Sequence, residues 1–119
     1  MDENEISNIN LYNSLGPGLL ESVYQRILVY ELKENGLDVQ SEILLPVQYD
    51  DKLFDVHFRI NILVEDKVIL ELKSVKSLED IHYKQLYTYL KLSDKRLGLL
   101  INFNTTNILD GIKRVVNKL

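Results

Sequence analysis

The chain has 119 residues, 45% of them hydrophobic and 27% charged, with 14 basic against 18 acidic side chains and a formal net charge of −4. These values suit a single globular domain, and the acidic balance argues against a generic polyanion binder. The sequence has no cysteine and two histidines, which excludes disulfides, thiolate catalysis and Cys-ligated zinc and leaves oxygen atoms as the expected ligands of any metal.

The charge is unevenly distributed along the chain. Residues 1–60 contain 11 acidic and 4 basic side chains, whereas residues 61–119 contain 7 acidic and 10 basic ones. The acidic start, Met1-Asp2-Glu3-Asn4-Glu5, does not look like a signal peptide, and the longest apolar stretches are too short to cross a bilayer. We therefore expect one cytoplasmic domain, residues 1–119, with a mildly basic second half.

Gly16-Pro17-Gly18 is a strong break that separates two helical stretches. The second stretch is predicted over residues 19 to about 35, where Asn35-Gly36 supplies a C-terminal stop. Glu21 lies in its first turn. The apolar residues that recur with helical period are Leu20, Val23, Tyr24, Ile27, Leu28 and Leu32.

The period then changes to two, which predicts strands at roughly residues 39–49, 53–64 and 68–73. Strict alternation would place Val56, Phe58, Ile60, Ile62 and Val64 on one face of the middle strand. A three-residue loop at Glu65-Asp66-Lys67 pairs Val64 with Val68. Counting outward from that pair sets Asn61 across from Glu71, on the face that Glu71 shares with Ile69 and Lys73.

The remaining pattern predicts a helix over residues 78–92, an apolar buried strand over 97–101, and a last helix reaching Lys118 behind a cap at Thr105-Thr106-Asn107. A helical crossover makes the third and fourth strands parallel. The predicted fold class is therefore α/β, with a mixed sheet of a three-strand meander plus one crossover strand, flanked by helices.

Glu71-Leu72-Lys73 is the most informative local feature, because a carboxylate and an ammonium two residues apart on a strand point to the same side. With Asn61 beside them, they suit phosphodiester hydrolysis, in which carboxylate oxygens hold Mg²⁺ and the lysine assists a water or stabilises charge. Taken alone, the triplet is more often a surface cross-strand or same-face ion pair. A structural ion pair in a small homodimer is therefore a third interpretation of these residues.

Several motifs in order give the chain a resemblance to a known family. Gly18-Leu19-Leu20-Glu21-Ser22-Val23-Tyr24 matches G-x-x-E-x-x-Y. The chain resembles the GxxExxY protein family, a branch of the PD-(D/E)XK nuclease superfamily, over nearly its whole length. The further matching segments are residues 63–66, 71–73, 82–90, 97–103 and 111–114.

The resemblance implies a restriction-endonuclease-like core with a Mg²⁺ or Mn²⁺ site. Its metal ligands would be Glu21, the middle-strand residue Asn61, and Glu71, which with Lys73 would also be catalytic. Gln85 and Tyr89 match the Q-x-x-x-Y motif of related nucleases and lie four residues apart on one helix face, so the resemblance adds them to the catalytic residues, where they would orient the site or touch the nucleic acid. For Tyr24, core packing is the simpler explanation, and for Tyr89 packing and substrate contact are both open.

Asn61 departs from the family, which usually has Asp in Arg-x-Asp-Leu-Leu-Val where this chain has Arg59-Ile60-Asn61-Ile62-Leu63-Val64. A neutral amide in place of a carboxylate should leave the Mg²⁺ or Mn²⁺ site weak or absent. Tyr12 is a second departure, since relatives often have His there.

Two functions follow from this sequence. The first is a divalent-metal-dependent nuclease-fold protein that hydrolyses, or descends from enzymes that hydrolyse, DNA or RNA phosphodiesters with a degenerate metal site. The second is a catalytically inactive module that binds nucleic acid or protein. The candidate phosphate contacts, which a solvated helix face explains equally well, are Lys84, Lys91, Lys95, Arg96, Lys113 and Arg114.

Overall fold

The computed structural model of the chain describes residues 15–118. Tyr12 and the helical stretch predicted ahead of Gly16 lie outside the described residues. The elements in chain order are α1 (Glu21–Glu34), β1 (Val39–Tyr49), β2 (Lys52–Val64), β3 (Val68–Lys73), α2 (Asp80–Ser93), β4 (Leu97–Asn102), a 3-10 turn (Ile108–Gly111) and β5 (Ile112–Val116).

The five strands form one mixed sheet in the order β1-β2-β3-β4-β5. Strands β3 and β4 are parallel and every other neighbouring pair is antiparallel. The predicted meander, the helical crossover and the parallel β3–β4 pair are thus confirmed. No helix within residues 15–118 has the length and apolar character needed to span a membrane.

The two helices cover opposite faces of the sheet. Leu28 of α1 packs in one cluster with Leu70 and Ile101, whereas Leu86 of α2 packs in another with Ile69 and Leu100. Because neighbouring residues of a strand point to opposite faces, these two clusters lie on the two sides of β3 and β4. The result is an α/β fold with a restriction-endonuclease-like core, as predicted.

The last helix predicted from the sequence is wrong. Asn107 does act as a cap, since its side chain accepts a hydrogen bond from the Leu109 N–H at 3.2 Å, but the helix is a single 3-10 turn. It ends at Gly111, where an added Cβ would lie 2.2 Å from the Asn102 carbonyl oxygen. The chain then pairs with the open edge of β4 as β5, which satisfies the backbone groups of both strands.

The predicted single face of β2 is also wrong, because its apolar residues divide between the two clusters. Ile62 and Val64 pack on the α1 side, whereas Phe58 and Ile60 pack on the α2 side. The change falls next to Glu42 of β1, whose backbone is left-handed at φ 55°. A left-handed residue interrupts the alternation of side chains along a strand. Residues of the β1–β2 ribbon on either side of this point therefore direct their apolar side chains to opposite faces of the sheet.

Matched substitutions in β5 test the strand assignment. Val115 packs against the α2-side cluster and Val116 is 43% exposed. We expect Val115→Asp to lower the free energy of unfolding by roughly 2–3 kcal/mol and Val116→Asp by less than about 1 kcal/mol, because only the first buries a charge. Urea denaturation measures both, and equal losses would contradict the strand alternation.

Candidate functional site

A hydrogen-bonded pair of side chains occupies the position where β2 and β3 separate. Their backbone pairing runs from Val64–Val68 to Ile62–Leu70, in the predicted register, and ends there. At the next position the Asn61 N–H donates to Glu71 Oε1 at 3.1 Å, and the Leu72 N–H donates to Asn61 Oδ1 at 2.9 Å. We call this pair of bonds the side-chain rung, because side-chain oxygens accept the bonds that a backbone carbonyl would otherwise take.

Glu71 is buried in the rung, with 5% of its surface exposed. Burial is the main reason that the pKa of its carboxyl is raised from 4.5 to about 7. The Asn61 N–H and the charge of Lys73 oppose this rise, while the carboxylates of Glu21 and Glu42 add to it. Glu21, Glu42 and Lys73 therefore all act electrostatically on the same carboxyl.

The G-x-x-E-x-x-Y motif places Glu21 at the start of α1. Gly18 has φ +89°, which a residue with a Cβ adopts only with strain. The buried Tyr24 hydroxyl accepts a bond from the Leu19 N–H at 3.0 Å and donates to the Gly16 carbonyl at 2.6 Å. Its ring stacks on Phe103 at 4.2 Å. Tyr24 is therefore a packing residue that ties down the turn ahead of Glu21.

Glu42 is a member of the site that the sequence did not reveal. Its Oε1 accepts a bond from Gln25 Nε2 at 2.8 Å, and its Oε2 lies 3.3 Å from Arg59 Nε. Counting from the β1–β2 turn places Glu42 opposite Arg59, but the register shifts by two residues between Pro46 and Val47. The Ser41–Ile62 and Ile43–Ile60 pairs therefore bring Glu42 opposite Asn61.

Gln85 and Tyr89 of α2 also reach the site. Tyr89 is buried, and desolvation followed by the charge of Glu71 raises the pKa of its hydroxyl, while a hydrogen bond with Gln85 lowers it. Tyr89 also packs against Phe58, with ring centroids 5.6 Å apart.

Glu71 and Lys73 form no direct ion pair within residues 15–118, which argues against the structural ion pair considered from the sequence.

The candidate phosphate contacts do not form one surface. Lys84, Lys91 and Arg114 line a common groove between α2 and β5. Lys113 lines a different cavity, and Lys95 and Arg96 line a third. Lys95 is moreover paired with Asp66 at 3.0 Å.

The residues present do not fit a Mg²⁺ or Mn²⁺ centre in this arrangement. Such ions need several charged, unprotonated oxygen ligands. The oxygen of Asn61 and one oxygen of Glu71 each accept a backbone N–H, and both oxygens of Glu42 are held by Gln25 and Arg59. Over residues 15–118, no three Asp, Glu or His side chains are grouped closely enough to hold a metal ion.

Comparison with known proteins identifies the family. The family model described as PD-(D/E)XK nuclease superfamily matches residues 4–115. This chain therefore belongs to the PD-(D/E)XK nuclease superfamily, whose nucleases typically use divalent metals.

Comparison with solved structures shows the same fold in another protein. The crystal structure of SSO0001 superposes with a TM-score of 0.64 at 23% sequence identity, over 98% of this chain and 60% of that one. The present chain thus spans about three fifths of the length of SSO0001. A search of the curated proteins finds no match.

The raised pKa of Glu71 predicts a pH-dependent stability. Between pH 4.5 and about 7 the folded chain holds this proton more tightly than the unfolded chain, so the free energy of unfolding falls as pH rises and levels off above about 7. We expect Glu71→Gln, whose carbonyl can still accept the Asn61 N–H, to remove up to roughly 3 kcal/mol of this dependence.

Urea denaturation at about pH 5 and about pH 8 measures the effect as the difference between variant and wild type. Glu34→Gln at an exposed position of α1 is the matched control. Equal pH dependence in wild type and Glu71→Gln would contradict the buried, proton-bearing carboxyl.

Tyr24→Phe tests how the turn before Glu21 is held. The change keeps the ring stacked on Phe103 but removes the hydroxyl that bonds the Leu19 N–H and the Gly16 carbonyl. We expect a loss of about 1–2 kcal/mol in the free energy of unfolding. Tyr30→Phe, at a residue that is 59% exposed, should change it by less than about 0.5 kcal/mol. Thermal or urea unfolding that shows equal effects would refute the role of the hydroxyl.

Proposed function

We propose that this chain is a GxxExxY-type member of the nuclease superfamily that binds nucleic acid without hydrolysing it. The side-chain rung carries the proposal. Asn61 supplies a neutral oxygen that is already bonded to the Leu72 N–H, and the raised pKa of about 7 keeps the Glu71 carboxyl protonated up to near-neutral pH. A divalent ion would have to compete with these hydrogen bonds and with that proton for the same two side chains.

The remainder of the site supports retention of the fold rather than of the reaction. Tyr24 still ties the turn ahead of Glu21, and Gln85 still bonds Tyr89, whose hydroxyl is close enough to Glu71 to be affected by its charge. Membership in a nuclease superfamily favours a nucleic acid as the ligand. We therefore place this chain with the catalytically inactive alternative, and a metal-dependent nuclease with Glu71 and Lys73 at its centre is the competing function.

Asn61→Asp separates the two functions, because it restores the charge without removing the acceptor of the Leu72 N–H. We expect wild type to bind labelled nucleic acid, tested as single-stranded DNA, duplex DNA and RNA, without cleaving it. For each nucleic acid that binds, the affinity should be the same in EDTA as in Mg²⁺ or Mn²⁺. The variant should bind Mn²⁺ at least roughly tenfold more tightly in calorimetric titration, because a full charge replaces a neutral carbonyl oxygen.

Gln48→Glu is the matched control, since it adds the same charge at an exposed position of β1. Any cleavage gained by Asn61→Asp should disappear in the double variant Asn61→Asp, Lys73→Ala. Cleavage by wild type that needs Mg²⁺ or Mn²⁺ and is lost in Lys73→Ala would overturn the proposal in favour of a nuclease. Absence of binding to every nucleic acid at low salt would overturn it as well.

A further inference from the structure

A groove between α2 and β5 combines positive charge with aromatic surface. It has a volume of about 570 Å³, and its floor and walls include Tyr83, Lys84, Tyr87 and Lys91 of α2 and Arg114 of β5. None of the residues that line it belongs to the site around Glu71. The groove is therefore a separate surface, on the opposite flank of α2 from Gln85 and Tyr89.

The charge of this groove differs from that of the chain as a whole. It contains three cations and no acidic side chain, although the chain has a net charge of −4. Two other cavities within residues 15–118 both contain acids: Asp66 and Asp94 line one, and Asp110 lines the other. An acid-free set of cations on an acidic protein is complementary to a polyanion at this place in particular.

The aromatic residues make a nucleic acid a better occupant than a simple anion. Tyr83 and Tyr87 lie four residues apart and share one side of α2. Tyr87 is 40% exposed, and the Lys91 ammonium lies 5.0 Å from the centre of its ring. Ring and cation are thus presented together, as in proteins that stack bases beside a bound phosphate backbone.

A single strand suits this groove better than a duplex, because of the groups that each form exposes. A duplex exposes its phosphates but keeps its bases stacked inside, so it could use the cations and not the Tyr87 ring. A single strand offers both a phosphate and an unstacked base. We propose that the α2–β5 groove binds single-stranded nucleic acid, with Lys84, Lys91 and Arg114 on phosphates and Tyr87 stacked on a base. This inference rests on the proposed function and names the surface and the ligand form.

The test is fluorescence anisotropy with a labelled single strand of about 12 nucleotides and the matching duplex, over a range of salt concentrations. For the single strand, Lys84→Gln, Lys91→Gln and Arg114→Gln should each lower the slope of log K against log salt by about 0.7. Tyr87→Leu should weaken single-strand binding roughly fivefold or more and leave duplex binding unchanged, while Tyr87→Phe should retain it.

Lys33→Gln is the matched control, because it removes an exposed cation of α1 that lies outside the groove. Circular dichroism and thermal unfolding establish that each variant is folded. A loss of binding in the groove variants and not in Lys33→Gln supports the inference.

Four results would overturn it. If wild type binds nucleic acid and the groove variants bind equally well, the proposed function stands and this surface is wrong. If the duplex binds as tightly as the single strand, the groove does not select single strands. If polyglutamate displaces the nucleic acid completely and Tyr87→Leu has no effect, the groove is a general surface for acidic ligands. If wild type binds no nucleic acid, both the proposed function and this inference fail.

Discussion

The side-chain rung between β2 and β3 is the interaction on which the rest of the site depends. Where the backbone ladder ends at Ile62–Leu70, Asn61 and Glu71 accept the N–H groups that would otherwise be left without partners. A buried carboxyl that accepts one N–H and has little other solvation prefers to keep its proton, and the raised pKa of Glu71 follows from that. The same bonds that complete the sheet thus engage the Asn61 side-chain oxygen and one of the two Glu71 oxygens.

Two other constraints bring the remaining charges to the rung. The Tyr24 hydroxyl ties the Gly16–Leu19 turn and so fixes the start of α1, where Glu21 lies. In β1, the left-handed backbone at Glu42 interrupts the alternation of side chains in the β1–β2 ribbon. Gln25 and Arg59 hold the Glu42 carboxylate. The architecture of a superfamily nuclease is therefore present, and at its centre Asn61 places a neutral amide beside the Glu71 carboxyl.

Local patterns predicted the fold where neighbouring strands are joined by a short turn. The three-residue loop after Val64 determines the β2–β3 register, so the sequence could place Asn61 across from Glu71. Glu42 could not be found this way, because the two-residue register shift near Pro46 breaks the count from the β1–β2 turn. β5 was missed for another reason: Ile108, Ile112, Val115 and Val116 fit a helical period, and only the open edge of β4 selects a strand.

The central claim is that burial beside the rung raises the pKa of Glu71 to about 7 and that Mg²⁺ does not bind its carboxylate. The most direct measurement is a carbon-13 NMR titration of the Glu71 side-chain carboxyl, with and without excess Mg²⁺. A midpoint near pH 7 that Mg²⁺ does not move is the predicted result. A midpoint near the ordinary value of 4.5, or one that Mg²⁺ shifts strongly downward, would contradict the claim.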